Sequence, residues 1–313
     1  MPTLVTGATG FLGRHLLPLL AEQGEPVRAF VRTGTDVSEL ERLGAEVRRG
    51  ELLDAGAVRR AAAGCGRVFH LAGLVAHEAR DREKLLAVNV EGVRTVLAAV
   101  EPGARVVHVS SVAAVGPAPA RDRPADETQP FPPWAERFVY AQTKRLGEQV
   151  ALGAAARGQD VVVANPGFLL GPGDVYRVST WHVWRYLQGV LRVTVPGGLS
   201  FTDARDVAAG LVTLAARGRA GERTILTSRE GNLSHADFFG RVGEVTGVRR
   251  RMIELPPRLA VLGARLVPWP VRPGEVEAAA HWWFYDTRKA ETELGFTTRP
   301  IDETIAATAA QYL

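Results

Sequence analysis

Short apolar, β-rich runs alternate with longer amphipathic segments through the first half of the chain. The runs predict six strands, at residues 3–7, 26–32, 45–50, 67–73, 104–111 and 160–167. The segments between them predict helices at 11–23, 54–63, 81–100 and 136–157. Strands that alternate with helices at this spacing usually pair in parallel. The pattern therefore predicts an α/β fold with a doubly wound parallel sheet, and a local kink at Pro18 in the first helix.

After about residue 170 the pattern becomes less regular. Proline-rich breaks interrupt it at 256–257 and 268–273, and five of the six tryptophans lie in this part. We predict a first domain over residues 1–170 and a smaller lobe over 171–313, with some segments of the lobe returning to the sheet. The apolar stretch 259–269 could be a helix that touches a membrane, but its length favours a helix that covers a pocket.

Composition narrows the class of protein. Apolar residues make up 46% of the chain and charged residues 23%, as in an ordinary soluble globular protein. The formal net charge is +4, without a long basic run, so we expect no nucleic-acid partner. The single cysteine, Cys65, excludes an intrachain disulfide and a thiolate cluster, and no metal site is predicted. The chain carries no signal peptide and no apolar run of membrane-spanning length, which predicts a cytoplasmic protein and leaves a homodimer open.

The first strand runs into a glycine-rich turn, TGATGFLG, at residues 6–13. Glycines at three-residue spacing allow a tight turn and let the backbone approach a pyrophosphate, which the following helix N-terminus attracts. The spacing alone also fits a packing turn, but its place between a strand and a helix favours a dinucleotide site. The first domain is therefore predicted to bind a dinucleotide and the second lobe a substrate. The predicted cofactor-binding residues of the turn are Gly7, Thr9, Gly10, Phe11, Leu12 and Gly13.

The ends of the next three strands carry residues expected to contact the cofactor. Arg32 closes the second strand, where NAD-binding sheets usually place an acidic residue. A guanidinium suits a 2′-phosphate, so Arg32 favours NADP over NAD, unless it lies over the adenine face and serves both. Glu51 and Leu52, after the third strand, are placed to border the adenine. Ala72 and Gly73, after the fourth, are small enough to let a ribose approach.

Tyr140 and Lys144 lie four positions apart in FVYAQTKRLGEQ, residues 138–149. With five tyrosines and three lysines in 313 residues, chance gives about 0.05 such pairs. On a helix the two side chains share a face, and an ammonium beside a phenol lowers its pKa toward neutrality, which suits proton transfer. Ser110 and Ser111 end the fifth strand, where ligands bind in such sheets, unless they only satisfy their own turn. His70 is expected to be a core histidine.

With these residues the chain resembles the extended short-chain dehydrogenase/reductase family, and within it the dihydroflavonol-reductase-like and sugar-nucleotide epimerase branch. The resemblance runs nearly end to end. It is carried by TGATGFLG (6–13), VFHLAG (68–73), VNVEGVRTVL (88–97), VSSVAAVG (109–116), YAQTK (140–144), NPGFLLGPGD (165–174), FTDARDVA (201–208) and DTRKAETELGF (286–296).

The resemblance implies a catalytic role for three residues. Tyr140 would be the general acid/base, Lys144 would bind the nicotinamide ribose and lower the Tyr140 pKa, and Ser111 would be the catalytic serine. Asn89 matches an asparagine that is usually structural or lies on the cofactor side. The residues that would border the nicotinamide are Pro166, Phe168 and Leu169.

Some positions depart from the family pattern. Asn165 stands where many relatives have arginine, Glu51 replaces a common aspartate, and Val115 replaces a tyrosine that is frequent in sugar epimerases. The serine site is not the Thr-Asp-Glu of 4,6-dehydratases. The leading prediction is thus an NADP-dependent reductase or dehydrogenase, with NAD as the alternative cofactor, that acts on a carbonyl or alcohol of a small molecule. A sugar-nucleotide epimerase is the alternative, and a dinucleotide-sensing regulator without catalysis is the third hypothesis.

Overall fold

The computed structural model describes residues 1–177, 179–267 and 271–313. Its strands are β1 (Thr3–Thr6), β2 (Val27–Val31), β3 (Glu46–Arg49), β4 (Arg67–His70), β5 (Arg105–Val109), β6 (Val161–Pro166), β7 (Phe168–Leu170), β8 (Val193–Thr194), β9 (Gly198–Asp203), β10 (Arg223–Leu226), β11 (Asn232–Ser234), β12 (Ile253–Glu254) and β13 (Trp282–Trp283). Its α-helices are α1 (Phe11–Glu22), α2 (Ser38–Arg42), α3 (Ala55–Ala62), α4 (Arg82–Leu86), α5 (Gly92–Ala99), α6 (Val139–Ala156), α7 (Trp181–Leu187), α8 (Ala204–Arg217), α9 (His235–Thr246), α10 (Pro257–Leu266), α11 (Pro273–Ala279) and α12 (Ile301–Ala309).

A central sheet of seven parallel strands confirms the predicted α/β fold. Its order is β3-β2-β1-β4-β5-β6-β10, and every neighbouring pair is parallel. All four residues of β1 are buried, as expected for a strand that is covered on both faces. The chain reverses its direction of travel across the sheet between β1 and β4. At such a switch point, ligands bind beyond the carboxyl ends of the strands.

Helices cover both faces of this sheet. On one face α1 and α8 pack together through side chains such as Leu16, Leu17 and Leu211. On the other face lie α3, α5 and α6, with Val96 and Ala151 in the core between helices and sheet. Apolar burial of this kind is the main stabilising contribution to the fold. The helices cover the two faces of the sheet and not the carboxyl ends of its strands, so this edge remains available for a site.

The observed elements differ from the predicted ones mainly at their ends. Strands β4 and β5 stop at His70 and Val109, so the residues predicted to contact cofactor and substrate follow them in loops. The helix predicted over 81–100 is divided into α4, a π-helical stretch at Ala87–Glu91, and α5. The predicted 136–157 helix begins at Val139, after a 3₁₀ turn. Helix α1 continues through Pro18, and the short helix α2 was not predicted.

The second half of the chain contributes to two layers. Strand β10 and helix α8 belong to the central sheet and its cover. A smaller sheet joins β11, β9 and β13, with β7 also on β9, and β8 pairs with β12 in a separate ribbon. Helices α7, α9 and α12 pack around an apolar cluster that includes Phe201 and Phe238. The division of the chain at residue 170 stays a prediction.

Helix α10 accounts for most of the predicted 259–269 helix. It ends at Leu266, and positions 268 and 269 lie outside the described residues, as does part of the predicted 268–273 break. Among the helices that the structure describes, none combines the length and the apolar character needed to cross a bilayer.

Candidate active site

The glycine-rich turn after β1 is shaped by close backbone approach. Gly7 has a φ of +69°, and a Cβ there would lie 2.7 Å from the Ala72 nitrogen. A Cβ at Gly13 would lie 2.5 Å from the Ala8 carbonyl oxygen, so this glycine lets α1 pack against the turn. Only glycine fits both positions without moving the backbone. Thr9 lines a small cavity on the outer side of the turn, and Phe11 packs edge-on against His15.

The start of α1 fits a pyrophosphate. Gly10 is its N-cap and supplies no side-chain acceptor, and the first turn contains no acidic residue. Free N–H groups and the helix dipole at such an end attract an anion. Leu12 lies one step inside the helix, is buried, and borders the large cavity described below.

Arg32 follows β2 directly and is exposed. The Arg32 carbonyl accepts a hydrogen bond from the Thr35 nitrogen, which closes the turn after the strand. Arg49, the last residue of β3, donates from Nη1 to the Thr35 carbonyl at 3.0 Å. Asp36 turns its carboxylate to Ser38 and the start of α2. Two guanidinium groups therefore lie at this end of the sheet, and sequence reasoning had identified only the first.

The two predicted residues that follow β3 differ in their exposure to solvent. Glu51 is exposed, and its carbonyl accepts a hydrogen bond from the Asp54 nitrogen. Leu52 packs closely against Gly92, the first residue of α5. Leu52 is therefore partly engaged in the helix layer, while the neighbouring Leu53 is exposed.

Asn89 fixes the loop that follows β4. Its Oδ1 accepts from the Leu74 nitrogen at 2.8 Å and its Nδ2 donates to the Leu74 carbonyl at 2.9 Å. The π-helical stretch carries Asn89 toward this loop, a common use of such irregular turns near functional sites. Gly73 lies beside it, since a Cβ on Gly73 would meet Asn89 Oδ1 at 3.5 Å and Lys144 Nζ at 3.8 Å. Before it, the Ala72 nitrogen donates to the Thr6 hydroxyl.

Tyr140 and Lys144 lie one turn apart on α6, and both border the large cavity. Tyr140 is partly exposed there, whereas Lys144 is buried. Lys144 Nζ donates to the Val109 carbonyl at the end of β5, at 3.0 Å. Ser111 lies two residues beyond that carbonyl and borders the same cavity, so the three residues predicted to be catalytic occupy one site.

The pKa values at this site are set mainly by burial. Burial raises the pKa of Tyr140 above its usual value, and the Ser111 hydroxyl acts in the opposite direction. The net direction is upward because the effect of burial is the larger of the two, and the expected lowering of the Tyr140 pKa by Lys144 stays a prediction. Burial lowers the pKa of Lys144 to about 8, against an opposing effect from Glu148.

The two serines differ in their surroundings. Ser111 Oγ accepts from the Ala113 nitrogen at 3.2 Å and caps a short 3₁₀ turn. Ser110 is buried, and its hydroxyl has no hydrogen-bond partner among the described residues. Both serines border the cavity, and they differ in that Ser111 satisfies its own turn whereas the Ser110 hydroxyl is left without a partner among the described residues.

A buried network of hydrogen bonds and an ion pair connects α6 to the central sheet. Asn165, which stands where relatives often have arginine, donates from Nδ2 to Glu148 at 2.6 Å and to the Ser111 carbonyl at 2.9 Å. Glu148 is also paired with Arg223 of β10 at 3.1 Å. A buried carboxylate is stabilised only by such partners. The network ties the serine loop, α6 and the edge strand together.

His70 and His108 occupy neighbouring positions on β4 and β5, and their rings stack at 5.5 Å. Burial lowers the pKa of His70 to about 3 and that of His108 well below its usual value, so both are neutral at pH 7. His70 Nδ1 lies 2.7 Å from the Thr6 hydroxyl. As predicted, His70 is a core residue.

A cavity of about 1150 Å³ opens from the site into the second half of the chain. Pro166, at the end of β6, and Phe168 and Leu169, in β7, border it where the sheet ends. Farther from the sheet its walls are predominantly apolar, with a few polar groups, as in many small-molecule sites. Examples of the apolar lining residues are Leu191, Val195, Phe201, Phe238, Phe239 and Val276.

Sequence reasoning missed the polar side chains of this cavity. The His77 ring lies edge-on to the Tyr140 ring, 5.7 Å between centroids. Arg185 is buried over the Trp181 ring and lies 3.8 Å from Glu275. Its Nε and Nη1 have no hydrogen-bond partner in the part of the chain that the structure describes. These residues come from β4–α4, α7 and α11, and no local motif links them.

Comparison with known proteins finds a family model and relatives that match most of this chain. The NAD dependent epimerase/dehydratase family matches residues 3–226. Sterol demethylase protein B of Methylococcus capsulatus is 36% identical over 83% of this chain and 79% of its own. A 4-hydroxy-2-methyl-3-oxo-4-farnesyl-3,4-dihydroquinoline-1-oxide ketoreductase of Stigmatella aurantiaca is 33% identical over 85% and 79%. Cinnamoyl-CoA reductase 1 of Oryza sativa is 35% identical over 69% and 68%.

Solved structures share the whole fold. The crystal structure of gox2253 superposes with a TM-score of 0.86 at 29% identity, over 99% of this chain and 97% of its own. MoeE5 in complex with UDP-glucuronic acid and NAD has a TM-score of 0.76 at 25% identity, over 99% and 98%. The resemblance read from the sequence is confirmed: the chain belongs to the NAD dependent epimerase/dehydratase family and is an enzyme of the extended short-chain dehydrogenase/reductase type.

Proposed function

We propose that the protein is an NADP-dependent oxidoreductase that acts on a carbonyl or alcohol group of a molecule with a large apolar body. The observation that carries the proposal is the meeting of Ser111, Tyr140 and Lys144 at the sheet end of a large, mainly apolar cavity. The glycine turn and the α1 N-terminus would hold the dinucleotide beside these three residues. When bound, the nicotinamide would supply or accept a hydride.

The roles of the three residues follow from their surroundings. Tyr140 would transfer a proton to or from the substrate oxygen, and Ser111 would donate a hydrogen bond to the same oxygen. Because burial raises the Tyr140 pKa, the phenol is protonated at neutral pH, which suits delivery of a proton during reduction. Lys144 would hold the ribose and stabilise the phenolate left after that transfer.

The side chains of the cavity walls bear on the class of substrate. Phe201, Phe238 and Phe239 line the cavity together with many other apolar side chains, so most of its surface suits an apolar molecule better than a sugar. Two of the relatives are named for a sterol and for a farnesylated quinoline oxide, which are large apolar molecules. We infer a bulky isoprenoid-like or lipid-like substrate, with its reacting oxygen at Tyr140.

NADP is favoured by the two guanidinium groups near the end of β2. Arg32 is exposed directly after the strand, and Arg49 holds the turn that follows. A bidentate guanidinium contact suits a 2′-phosphate. The exposed Asp36 carboxylate, the nearest one downstream, already accepts a hydrogen bond from the Ser38 hydroxyl.

A sugar-nucleotide epimerase is the second candidate function. Arginines 177, 185, 192 and 272 border the cavity and offer cations for a diphosphate. Arg177 and Arg185, however, already lie over aromatic rings, and Arg185 is near Glu275. An epimerase would retain its cofactor through purification and consume no NADPH, whereas the proposed reductase would oxidise NADPH in proportion to product.

The experiment that tests the proposal is Tyr140→Phe, assayed by NADPH oxidation against a panel of long-chain and polycyclic ketones. We expect turnover to fall by about 10²–10⁴-fold, with NADPH affinity nearly unchanged. Tyr176→Phe is the matched control, because Tyr176 borders the same cavity but is exposed. Near-normal turnover of Tyr140→Phe would remove Tyr140 from the chemistry.

A further inference from the structure

Helix α10 has its large and small residues reversed relative to an ordinary surface helix. Leu259, Leu262 and Leu266, spaced i, i+3 and i+7, share its outer face and are 57%, 53% and 76% exposed. Gly263 and Ala264 border the cavity instead. A helix that faces water on one side normally buries its large apolar residues and exposes polar ones. The outer face of α10 is therefore suited to an apolar environment.

Positive charge accompanies this face. Residues 249–267 contain five arginines and one glutamate, a formal excess of four positive charges that equals the net charge of the whole chain. Arg258 and Arg265 are exposed and each lies one helical turn from Leu262, so they follow one edge of the leucine face. Arg265 also has an exposed partner, Glu277, at 3.8 Å. Apolar side chains edged by arginines are typical of helices that lie in a membrane interface.

The β8–β12 ribbon adds two more exposed apolar residues to those of α10. Val193 and Ile253 are register partners in this parallel pair, so they project from the same face, and both are exposed. Thr194, which follows Val193, and Leu255, two residues after Ile253, border the cavity. Exposed apolar residues thus lie on two elements that also line the same cavity, and exposed apolar surface beside a cavity is typical of an interaction site.

We propose that α10 and the β8–β12 ribbon dock on the surface of a bilayer that contains anionic lipids. The outer leucines enter the headgroup boundary, and the arginines contact anionic headgroups. An apolar substrate then passes between bilayer and cavity along the small-residue face of α10; this last step rests on the proposed function, whereas docking does not. A second copy of the chain is a poorer occupant, because a two-fold interface would bring two arginine clusters together.

Vesicle co-sedimentation of the full-length protein tests docking directly. The probes are vesicles of phosphatidylcholine alone and of phosphatidylcholine with about 30% phosphatidylglycerol, since anionic lipid is the charge that arginines recognise. We expect binding to the anionic vesicles, weaker binding to the neutral ones, and a decrease as salt is raised. Equal binding to both, or none to the anionic vesicles, would overturn the proposal.

Two sets of variants locate the surface. Leu259→Ser/Leu262→Ser/Leu266→Ser should lower the partition coefficient to anionic vesicles by at least about tenfold. Leu53→Ser/Leu313→Ser, which removes exposed leucines elsewhere, should leave it unchanged. Arg258→Glu/Arg265→Glu should lower it by at least about fivefold. Arg94→Glu/Arg229→Glu makes the same charge change at exposed arginines outside α10 that have glutamate partners, and should have little effect.

Three further measurements separate the explanations. Thermal unfolding establishes that each variant is folded, as expected for exposed positions. Sedimentation velocity tests for a dimer: a dimer that the serine variant abolishes, together with vesicle binding that it does not change, would assign the face to a second copy and overturn docking. Turnover of ketones dispersed in detergent reports on the proposed function alone. Vesicle binding without such turnover would support docking while rejecting the proposed substrate class.

Discussion

Lys144 holds a positive charge in a place where burial opposes it. Its pKa is lowered to about 8, against about 10.4 in an unfolded chain. Between those two values the unfolded chain keeps a proton that the folded chain has lost, so the free energy of unfolding contributed by this group rises with pH. Below about pH 8 the full net cost is present, on the order of 3 kcal/mol, with the opposing effect of Glu148 already included.

Replacing Lys144 by methionine should therefore stabilise the cofactor-free protein at pH 7 while abolishing most activity. The gain should be about 1–3 kcal/mol, reduced by loss of the hydrogen bond to the Val109 carbonyl. It should shrink as the pH approaches 10, where the wild-type lysine is neutral. Urea unfolding of both proteins at pH 7 and pH 9.5 measures this. Lys84→Met, at an exposed lysine, is the control, and a Lys144→Met effect that is independent of pH would contradict the account.

Single residues were predictable where their chemistry is rare in this chain. Tyr140 and Lys144 stood out because lysines are few, and the structure brings them to the cavity with Ser111. His77 and Arg185 carried no such signal, since histidine and arginine occur throughout the chain and these two come close to the site only through folding. The Tyr140 pKa also escaped prediction, because burial cannot be read from i, i+4 spacing.

At the scale of elements, the close contact between α6 and the π-helical stretch constrains the backbone near the site. A Cβ on Gly147 would overlap the Asn89 carbonyl oxygen, well inside van der Waals contact. Gly147→Ala should therefore lower the free energy of unfolding by about 1–3 kcal/mol. It should also weaken cofactor binding, because Asn89 fixes the loop at Leu74.

Gly153, on the same helix, provides the matched control. A Cβ there would meet only the Arg157 guanidinium, at 3.4 Å. Gly153→Ala should be neutral or stabilise the protein by about 0.5–1 kcal/mol, because alanine favours the helix. Urea unfolding and cofactor titration of both variants give the comparison. Equal effects at the two positions would show that helix propensity, and not the α6 contact, decides the outcome.

The proposed preference for NADP depends on the end of β2. Charge-assisted contacts from Arg32 to a 2′-phosphate would contribute roughly 1.5–3 kcal/mol, so we expect NADP(H) to bind about tenfold or more tightly than NAD(H). Arg32→Asp should reverse this order, since a carboxylate repels the phosphate and accepts from a 2′-hydroxyl. Arg48→Asp, at an exposed arginine on β3, should not. Fluorescence titration of the wild type and of each variant with both dinucleotides measures these affinities. Tighter binding of NAD(H) than of NADP(H) by the wild type would exclude the NADP assignment.

Elements were predictable where periodicity is strong and less so where packing decides. The strands of the first half were found because short apolar runs are what a sheet buried on both faces requires. The predicted strands extended past His70 and Val109, because Leu71 and Ala72 continue the apolar run after β4 and no glycine or proline precedes the two serines after β5. The π-helical stretch has no signature in the sequence, and β10 joins the sheet only because its neighbour β6 offers a free edge.

At the scale of the whole molecule, the proposed activity needs both halves of the chain, since α6 and the loop after β5 supply the proposed reacting groups and α10 and α11 supply another wall of the cavity. Ala264 is buried in that wall, against Val195 and Val276. Ala264→Phe should fill the far end of the cavity and leave the sheet end open. We expect KM to rise about tenfold or more for long-chain ketones, with little change for short ones and none in NADPH affinity.

Ala306→Phe, at an exposed helical alanine, controls for the added ring. Steady-state kinetics over a series of ketones of increasing length measures the effect. If long and short ketones were affected equally in a folded variant, the substrate body would lie elsewhere, because a block at the far end cannot affect a substrate that does not reach it.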